Sequence, residues 1–185
     1  KKIFKTGLVL IFILNFISCS DEVIQPLEKD EVISLQFPSY FPEMTFDPSE
    51  NPITKNGVEL GRKLFYEGRL SRNNTISCGF CHIQENAFTH HGHTVSHGID
   101  DRIGIRNAPA IQNMVFLKRY MWDGVIHNLN GQPIIPITDV NEMDSSMPEA
   151  ISKLSKDEVY KKLFKQAYGD ENITGEKVFK ALSQF

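Results

Sequence analysis

The sequence predicts an all-α fold in which short amphipathic helices are joined by long, ordered loops. Apolar residues recur at helical spacing in four segments, whereas the alternation with a period of two that is typical of strands is almost absent. Glycine and proline are frequent between those segments, where they mark loops and turns. Loops of this length are uncommon in a small domain unless they are functional, so we expect them to surround a site.

Length, composition and charge exclude several classes of protein. The chain has 185 residues, which is typical of one domain, and 41% of them are hydrophobic, which is enough to form a core. The formal net charge is −3, so the chain offers no basic surface for a phosphate backbone, and we expect no nucleic-acid partner. No apolar run reaches the roughly 18 residues that a membrane-spanning helix needs, which excludes a multi-span membrane protein.

Residues 1–19 are typical of a bacterial export signal of the lipoprotein type. A basic start, an apolar stretch and a small residue precede a cysteine, in the order Lys1, Lys2 and Lys5, then residues 7–17, then Ser18 and Cys19. The four residues that end at Cys19 resemble a lipobox, which predicts lipidation of Cys19 and a periplasmic protein anchored to a membrane. Plain secretion is the alternative interpretation.

Residues 20–50 are interpreted as an extended tether, because four prolines interrupt any helix there, namely Pro26, Pro38, Pro42 and Pro48. The first helix is then predicted to begin after Thr54 and to end at Gly68. A short helix is predicted over residues 110–120, and an irregular stretch over residues 131–147.

Two further helices close the chain. A capping box formed by Ser155 and Glu158 predicts the start of one of them, and Gly169 predicts its end. The other begins after Thr174 and reaches Phe185 without the glycine, asparagine or proline that usually ends a helix. We therefore expect the chain to be the front part of a longer protein.

The three cysteines of an exported chain need an explanation, because free thiols normally pair in an oxidising compartment. If Cys19 takes a lipid, Cys78 and Cys81 remain, and His82 follows them directly. Cys-x-x-Cys-His is typical of covalent c-type haem, in which the thiols attach to the two vinyl groups and the histidine ligates the iron. A disulfide between the two cysteines is one alternative.

A zinc site is the other alternative for this motif. Cys78 and Cys81, with His93 and His97, lie within one residue of the zinc-finger spacing. A zinc finger would carry the two histidines on a helix, whereas glycines flank them here, so we favour haem.

From about Asn51 to Phe185 the sequence resembles the first haem domain of the bacterial di-haem cytochrome c peroxidases and of the related methylamine-utilisation enzymes. The matching stretches occur in one order, at residues 51–54, 57–65, 69–71, 76–78, 81–82, 87–89, 106–109 and 122–124. Several motifs in one order are far more specific than the haem motif alone.

The resemblance implies a cytochrome c-like haem domain over residues 51–185, with one haem c in this chain. A second haem is expected in a domain beyond Phe185. The implied function is reduction of hydrogen peroxide to water, with electrons from a small periplasmic cytochrome c or cupredoxin. A homodimer is left open as the assembly.

The resemblance also assigns roles to individual residues. Gln132, Pro136 and Glu142 fall at the intervals of the family's peroxide pocket. There Glu142 would move a proton between the two oxygen atoms, Gln132 would hydrogen-bond the peroxide, and Pro136 would keep a sixth ligand from the iron. Trp122 resembles the tryptophan that transfers electrons between the haems, and Asn107 resembles a ligand of a calcium ion between the domains.

One departure from the family pattern leaves the distal iron ligand open. Many members close the first haem with a distal histidine, but alignment from Asn107 places Ile99 there, with His97 two residues away. Either His97 is the distal iron ligand after a local shift, or the iron is open to peroxide. The alternative functions are a methylamine-utilisation-type oxidase that acts on a partner protein and a non-catalytic electron carrier. The carrier would take its sixth ligand from a methionine, Met114, Met121, Met143 or Met147.

Overall fold

The computed structural model describes residues 30–185. As predicted, this part of the chain is helical, and the only paired extended backbone within it is four isolated bridges. The α-helices are α1 (Lys55–Phe65), α2 (Cys78–Cys81), α3 (Ile134–Thr138), α4 (Met147–Leu154), α5 (Glu158–Tyr168) and α6 (Gly175–Gln184). None of these helices is long and apolar enough to cross a membrane. The predicted export signal at residues 1–19, with Cys19, lies outside the described residues.

The core is formed where α1 packs against α6. The side chains of Thr54 and Thr174 cap these helices by accepting hydrogen bonds from the backbone N–H groups of Gly57 and Lys177. Gly61 is required at the crossing, because a Cβ there would overlap the carbonyl oxygen of Ala181. The apolar side chains of both helices that face this contact are fully buried, namely Leu60, Leu64, Val178 and Ala181.

Helices α4 and α5 complete the core. Tyr160 and Phe164 of α5 are fully buried, and the hydroxyl of Tyr160 donates a 2.8 Å hydrogen bond to the carboxylate of Glu67. Arg69 pairs with the same carboxylate and with Asp157, in both cases at 2.9 Å. The helical side of the domain is therefore closed by an apolar core with one satisfied polar network.

Two of the helix predictions were wrong. Residues 110–120 contain only a 3-10 turn, Met114–Phe116, because Asn113 is left-handed with φ 57° and the backbone turns there. The N-cap of α5 is Asp157, whose side chain accepts from the N–H of Val159 at 2.8 Å. The predicted cap, Ser155, instead ends α4.

Helices α3 and α4 both begin inside or at the end of the stretch predicted to be irregular. Prolines lie at the start of each, Pro133 before α3 and Pro148 in the first turn of α4, where a missing N–H costs no hydrogen bond. The prolines that suggested a loop are therefore helix-starting prolines. Gly169 ends α5 as predicted, with φ 84°.

The extended segment before α1 folds back over the loops. Thr45 donates hydrogen bonds to the carbonyl groups of Val115 and Leu117, at 2.8 Å from its backbone N–H and 2.7 Å from its hydroxyl, respectively. The rings of Phe37 and Phe41 pack edge-on against Phe116. This segment, the strap of residues 30–50, thereby forms one wall of the cavity described next.

Candidate functional site

A cavity of about 720 Å³ lies between the strap, the loops and the ends of α3 and α6. Its lining is mainly apolar. It is lined by all three residues of the predicted haem motif and by all three predicted peroxide-pocket residues, Cys78, Cys81, His82, Gln132, Pro136 and Glu142. Trp122 and Asn107 also line it, but His97 does not. The fold thus brings together residues that lie more than 60 positions apart in the sequence.

The two cysteines lie at the ends of the single turn of α2, and both thiols are free. Burial raises the pKa of Cys78 to about 12 and that of Cys81 to about 11, so both thiols are protonated at neutral pH. Gly79 between them has no side chain, which lets the ring of Tyr66 pack against the turn. The structure thus contains no disulfide in this motif.

His82 is oriented by a backbone carbonyl. Its Nδ1 lies 2.9 Å from the carbonyl oxygen of Phe88, which is presented by a left-handed residue with φ 57°. Burial lowers the pKa of His82, and the carbonyl groups of Phe88 and Pro109 oppose that shift. A neutral imidazole that donates from Nδ1 keeps its Nε2 lone pair for a metal, which is the usual state of a histidine ligand.

Glu142 is the half-buried carboxyl group of the cavity. Burial raises its pKa, and the negative charge of Asp139 raises it further. The backbone N–H of Glu142 donates to the carbonyl of Asp139 at 3.1 Å, and its own carbonyl accepts from the N–H of Ile99 at 2.8 Å. A carboxyl group with a raised pKa, fixed at a cavity wall, is suited to taking up and releasing a proton.

Gln132 and Pro136 lie just before and within α3. The side-chain amide of Gln132 donates to the sulfur of Met121 at 3.4 Å, which fixes its orientation in the cavity. Pro136 has no N–H, and its carbonyl accepts from the N–H of Met143 at 3.2 Å. Gln132 thus brings a hydrogen-bonding side chain to the cavity, and Pro136 brings an apolar one.

Residues 55–185 match the family model described as di-haem cytochrome c peroxidase. The chain belongs to this family. It is 33% identical over 138 residues to methylamine utilization protein MauG of Methylophilus methylotrophus, a match that covers 75% of this chain and 41% of the relative. It is 36% identical over 139 residues to cytochrome c peroxidase Ccp of Escherichia coli, with 75% and 30% covered.

Solved structures agree with this assignment. A MauG-like protein associated with microbial copper homeostasis superposes with a TM-score of 0.73 at 32% identity, over 83% of this chain and 45% of that chain. The di-haem peroxidase BthA of Burkholderia thailandensis shares the fold, with a TM-score of 0.63 at 20% identity over 75% of this chain and 40% of that chain. The chain spans less than half the length of each of these relatives.

The cavity fits the haem c that membership of the di-haem peroxidase family implies. The thiols of Cys78 and Cys81 lie one helical turn apart and line it, and a hydrogen bond from Nδ1 of His82 to Phe88 would leave Nε2 for iron. The zinc alternative has no such support. Within residues 30–185, no group of three or more His, Cys, Asp or Glu side chains is arranged so that it could hold a metal ion.

Trp122 and Asn107 are linked to each other in this family member. The indole N–H of Trp122 donates to the backbone carbonyl of Asn107 at 2.8 Å, and 63% of Trp122 is exposed. The side-chain amide of Asn107 donates to the carbonyl of His93 at 2.9 Å. The predicted roles of Trp122 in electron transfer and of Asn107 in calcium binding stay predictions.

His97 lies in a cluster of three imidazoles outside the cavity. Its Nε2 is 3.1 Å from Nδ1 of His93, whose ring stacks on that of His90 at 4.3 Å between centroids. The backbone carbonyl of His97 accepts from the thiol of Cys81 at 3.3 Å. Iron ligation by His97 stays a prediction, and it would require the ring to leave this cluster.

Sequence reasoning missed three residues that shape the site. Met121 orients Gln132, Asp139 faces Glu142, and the carbonyl of Phe88 orients His82. For Asp139, its position three residues before Glu142 was an available signal. Phe88 lies in a family-matching stretch and Met121 was a candidate sixth ligand, but the roles seen here depend on left-handed backbone at both residues, which spacing does not predict.

Proposed function

We propose that the protein is a haem c peroxidase that reduces hydrogen peroxide to water with electrons from a small periplasmic cytochrome c or cupredoxin. One observation carries the proposal: a single cavity is lined both by the haem-attachment motif and by Gln132, Pro136 and Glu142. The peroxidases among the curated relatives support the same class of reaction.

The geometry of α2 supports haem attachment, because its two cysteines lie one helical turn apart. The thiols of Cys78 and Cys81 would form the thioether bonds, and Nε2 of His82 would be the iron ligand. When bound, the haem supplies the iron at which peroxide binds and electrons arrive. The hydrogen bond from Nδ1 of His82 to Phe88 fixes the ring for that role.

Glu142 would move the proton on which cleavage of the O–O bond depends. One oxygen of peroxide must lose a proton and the other must gain it, so that water can leave. Burial and Asp139 both raise the pKa of Glu142, which favours the uptake of that proton. Gln132 has a second N–H and a carbonyl oxygen with which to bind peroxide. Pro136 adds bulk without a donor.

Electron supply would pass through Trp122. Its ring lines the cavity and is also 63% exposed, so it connects the interior with the surface. We propose that the domain carrying the second haem follows Phe185, and that residues 51–185 form the N-terminal haem domain. We also propose a periplasmic location with a lipid on Cys19, which a Cys19→Ser variant tests by release from membranes.

The decisive experiment uses the full-length protein with both haems. Glu142→Gln should lower peroxide turnover about 10²- to 10⁴-fold, the usual contribution of a general acid–base group, and should leave the haem absorption spectrum unchanged. Glu59→Gln, at an exposed position of α1, is the matched control and should turn over peroxide like the wild type. Wild-type turnover in Glu142→Gln would refute the assigned pocket.

A methylamine-utilisation-type oxidase is the second candidate, and the similarity to MauG and to a MauG-like structure favours it. The two functions differ in where the electrons come from. A peroxidase oxidises a small redox protein in proportion to the peroxide consumed. An oxidase of that type consumes peroxide only with its partner protein, whose mass then changes. Indifference to peroxide in both assays would leave the electron carrier.

A further inference from the structure

We propose that a cluster of four charged side chains, Arg72, Asp100, Arg102 and Asp144, positions Glu142 for its proton transfer. We name it the positioning cluster. The inference rests on the proposed function, since it concerns how the carboxyl group of that site is held.

The positioning cluster joins three separate segments through its charges. One carboxylate oxygen of Asp144 accepts from Nε of Arg72 at 3.1 Å and from Nη1 of Arg102 at 2.9 Å. Both arginines also pair with the carboxylate of Asp100. Burial alone would raise the pKa of Asp144, but the hydrogen bonds from the two arginines outweigh it and lower the pKa. The carboxylate of Asp144 is thus held between two guanidinium groups.

The same segments hold the backbone of Glu142 and its neighbour. The N–H of Ile99 donates to the carbonyl of Glu142 at 2.8 Å, and the N–H of Arg72 donates to the carbonyl of Met143 at 3.0 Å. A Cβ at Gly98 would overlap the carbonyl oxygens of Asn141 and Glu142, so only glycine allows this approach. Side chains and backbone therefore fix Glu142 from two sides.

The two aspartates of the positioning cluster have a backbone conformation that surrounding contacts must hold in place. Asp100 and Asp144 are left-handed, with φ 54° and 45°, a conformation that residues other than glycine rarely adopt. Such residues persist where surrounding contacts hold them, and they concentrate at functional sites. Here those contacts are the ion pairs of the cluster.

Arg72 connects the positioning cluster to the haem-attachment motif. Arg72 lies in the loop that leads into α2, six residues before Cys78. The cluster consequently ties the segment that carries Glu142 to the segment that carries the haem-attachment motif. Glu142 lies outside any helix, so these ties set where its carboxyl group stands relative to Cys78 and His82. A displacement of about 1 Å in such a group can lower a rate about 10²-fold.

The test compares Asp144→Asn with Asp157→Asn in the full-length protein with both haems. Asp157 is a matched control, because it also pairs with an arginine at 2.9 Å and its side chain is 27% exposed, against 25% for Asp144. Asp144→Asn should lower kcat for peroxide about tenfold, with an unchanged KM for the electron donor and an unchanged haem spectrum. Asp157→Asn should keep the wild-type kcat. Wild-type kcat in Asp144→Asn overturns the inference.

A double variant shows whether the cluster acts through Glu142. If it does, Glu142→Gln/Asp144→Asn turns over peroxide at the rate of Glu142→Gln alone, because there is no carboxyl group left to position. Losses that multiply would overturn the inference. Wild-type turnover in Glu142→Gln would instead refute the proposed function, and the positioning role with it.

Hydrogen exchange supplies a readout that does not depend on activity. The amides of Glu142, Met143 and Asp144 donate to carbonyl groups within the same segment. In Asp144→Asn these three amides should exchange about tenfold faster, while those of α1 and α6 keep their rates. Unchanged exchange at the three amides would overturn the inference.

Discussion

The helices and the loops of this domain are stabilised in different ways. Where α1, α5 and α6 meet, the core side chains are fully buried and each helix begins at a capped residue. Between Ile83 and Gly131 the described chain contains 3-10 turns and isolated bridges but no α-helix, and large apolar side chains are exposed there, such as Ile105 at 87% and Trp122 at 63%. The loops have hydrogen bonds and a cavity in place of a core. From this comparison we expect the helices to keep their structure without haem and the loops to depend on it.

Removal of both thiols should produce the largest difference between the loops and the helices. In Cys78→Ala/Cys81→Ala, haem should be extractable from the full-length protein, and amides of residues 83–131 should lose their protection from hydrogen exchange. The amides of α1, α5 and α6 should keep theirs. Phe80→Ala is the control, because it changes a 44% exposed side chain between the two cysteines and keeps both attachment points. Equal loss of protection in helices and loops would show that the domain is one cooperative unit.

A cavity in the helical core should give the next largest effect. Phe164→Ala removes a fully buried ring from α5 and should lower the free energy of unfolding by about 3–5 kcal/mol. Val159→Ala on the same helix, at a side chain that is 55% exposed, should change it by less than about 0.5 kcal/mol. Hydrogen exchange of the α5 amides under denaturant measures both. Similar values for the two variants would argue against a helical core.

The two regions should also differ in how stability depends on pH. Burial raises the pKa of Glu142 in the folded protein, so as pH rises the unfolded chain releases this proton at a lower pH than the folded chain does. The stability that the protonated carboxyl group contributes is therefore lost as pH rises through the pKa of the folded state. At Glu67, burial would raise the pKa, but hydrogen bonds from Arg69 and Tyr160 lower it, so its contribution is lost as pH falls. The free energy of unfolding of Glu142→Gln, relative to that of the wild type, should therefore increase as pH rises. For Glu67→Gln the same difference should increase as pH falls. Denaturant unfolding between about pH 3 and pH 8 checks this, and parallel pH profiles would contradict it.

The smallest effect on stability is expected at Trp122. Trp122→Phe removes one hydrogen bond to Asn107 at a largely exposed ring, so the free energy of unfolding should change by less than about 1 kcal/mol. Peroxide turnover with a redox-protein donor should nevertheless fall, if electrons pass through this ring. Tyr40→Phe, at an 83% exposed ring of the strap, is the control and should change neither quantity. A loss of stability of several kcal/mol would make Trp122 a structural anchor.

Local rules predicted those parts of the fold that local contacts determine. Thr54 and Thr174 cap their helices and Gly169 ends α5, each through a hydrogen bond or a φ angle within one turn. The helix predicted over residues 110–120 did not form. Asn113 is left-handed, and the N–H of Tyr120 donates a hydrogen bond to the carbonyl of Ile126, so the chain turns there. Those contacts are part of the loop structure and leave no periodic signal.

The same distinction between local and long-range contacts applies to the candidate site. The residues predicted to attach haem and to form the peroxide pocket could be named because motif spacing and family resemblance are properties of the sequence, and both sets line one cavity. The placement of His97 beside His93, and the ties from Arg72 and Arg102 to Asp144, depend on distances between segments. Spacing carries no information about such contacts.

The strap has a consequence for the order in which the molecule is made. Thr45 is bound to Val115 and Leu117, which are translated 70 and 72 positions after it. Cys78 and Cys81 therefore emerge before the residues against which the strap can close. The strap can therefore close over the cavity only after the chain from Cys78 to Leu117 has been made.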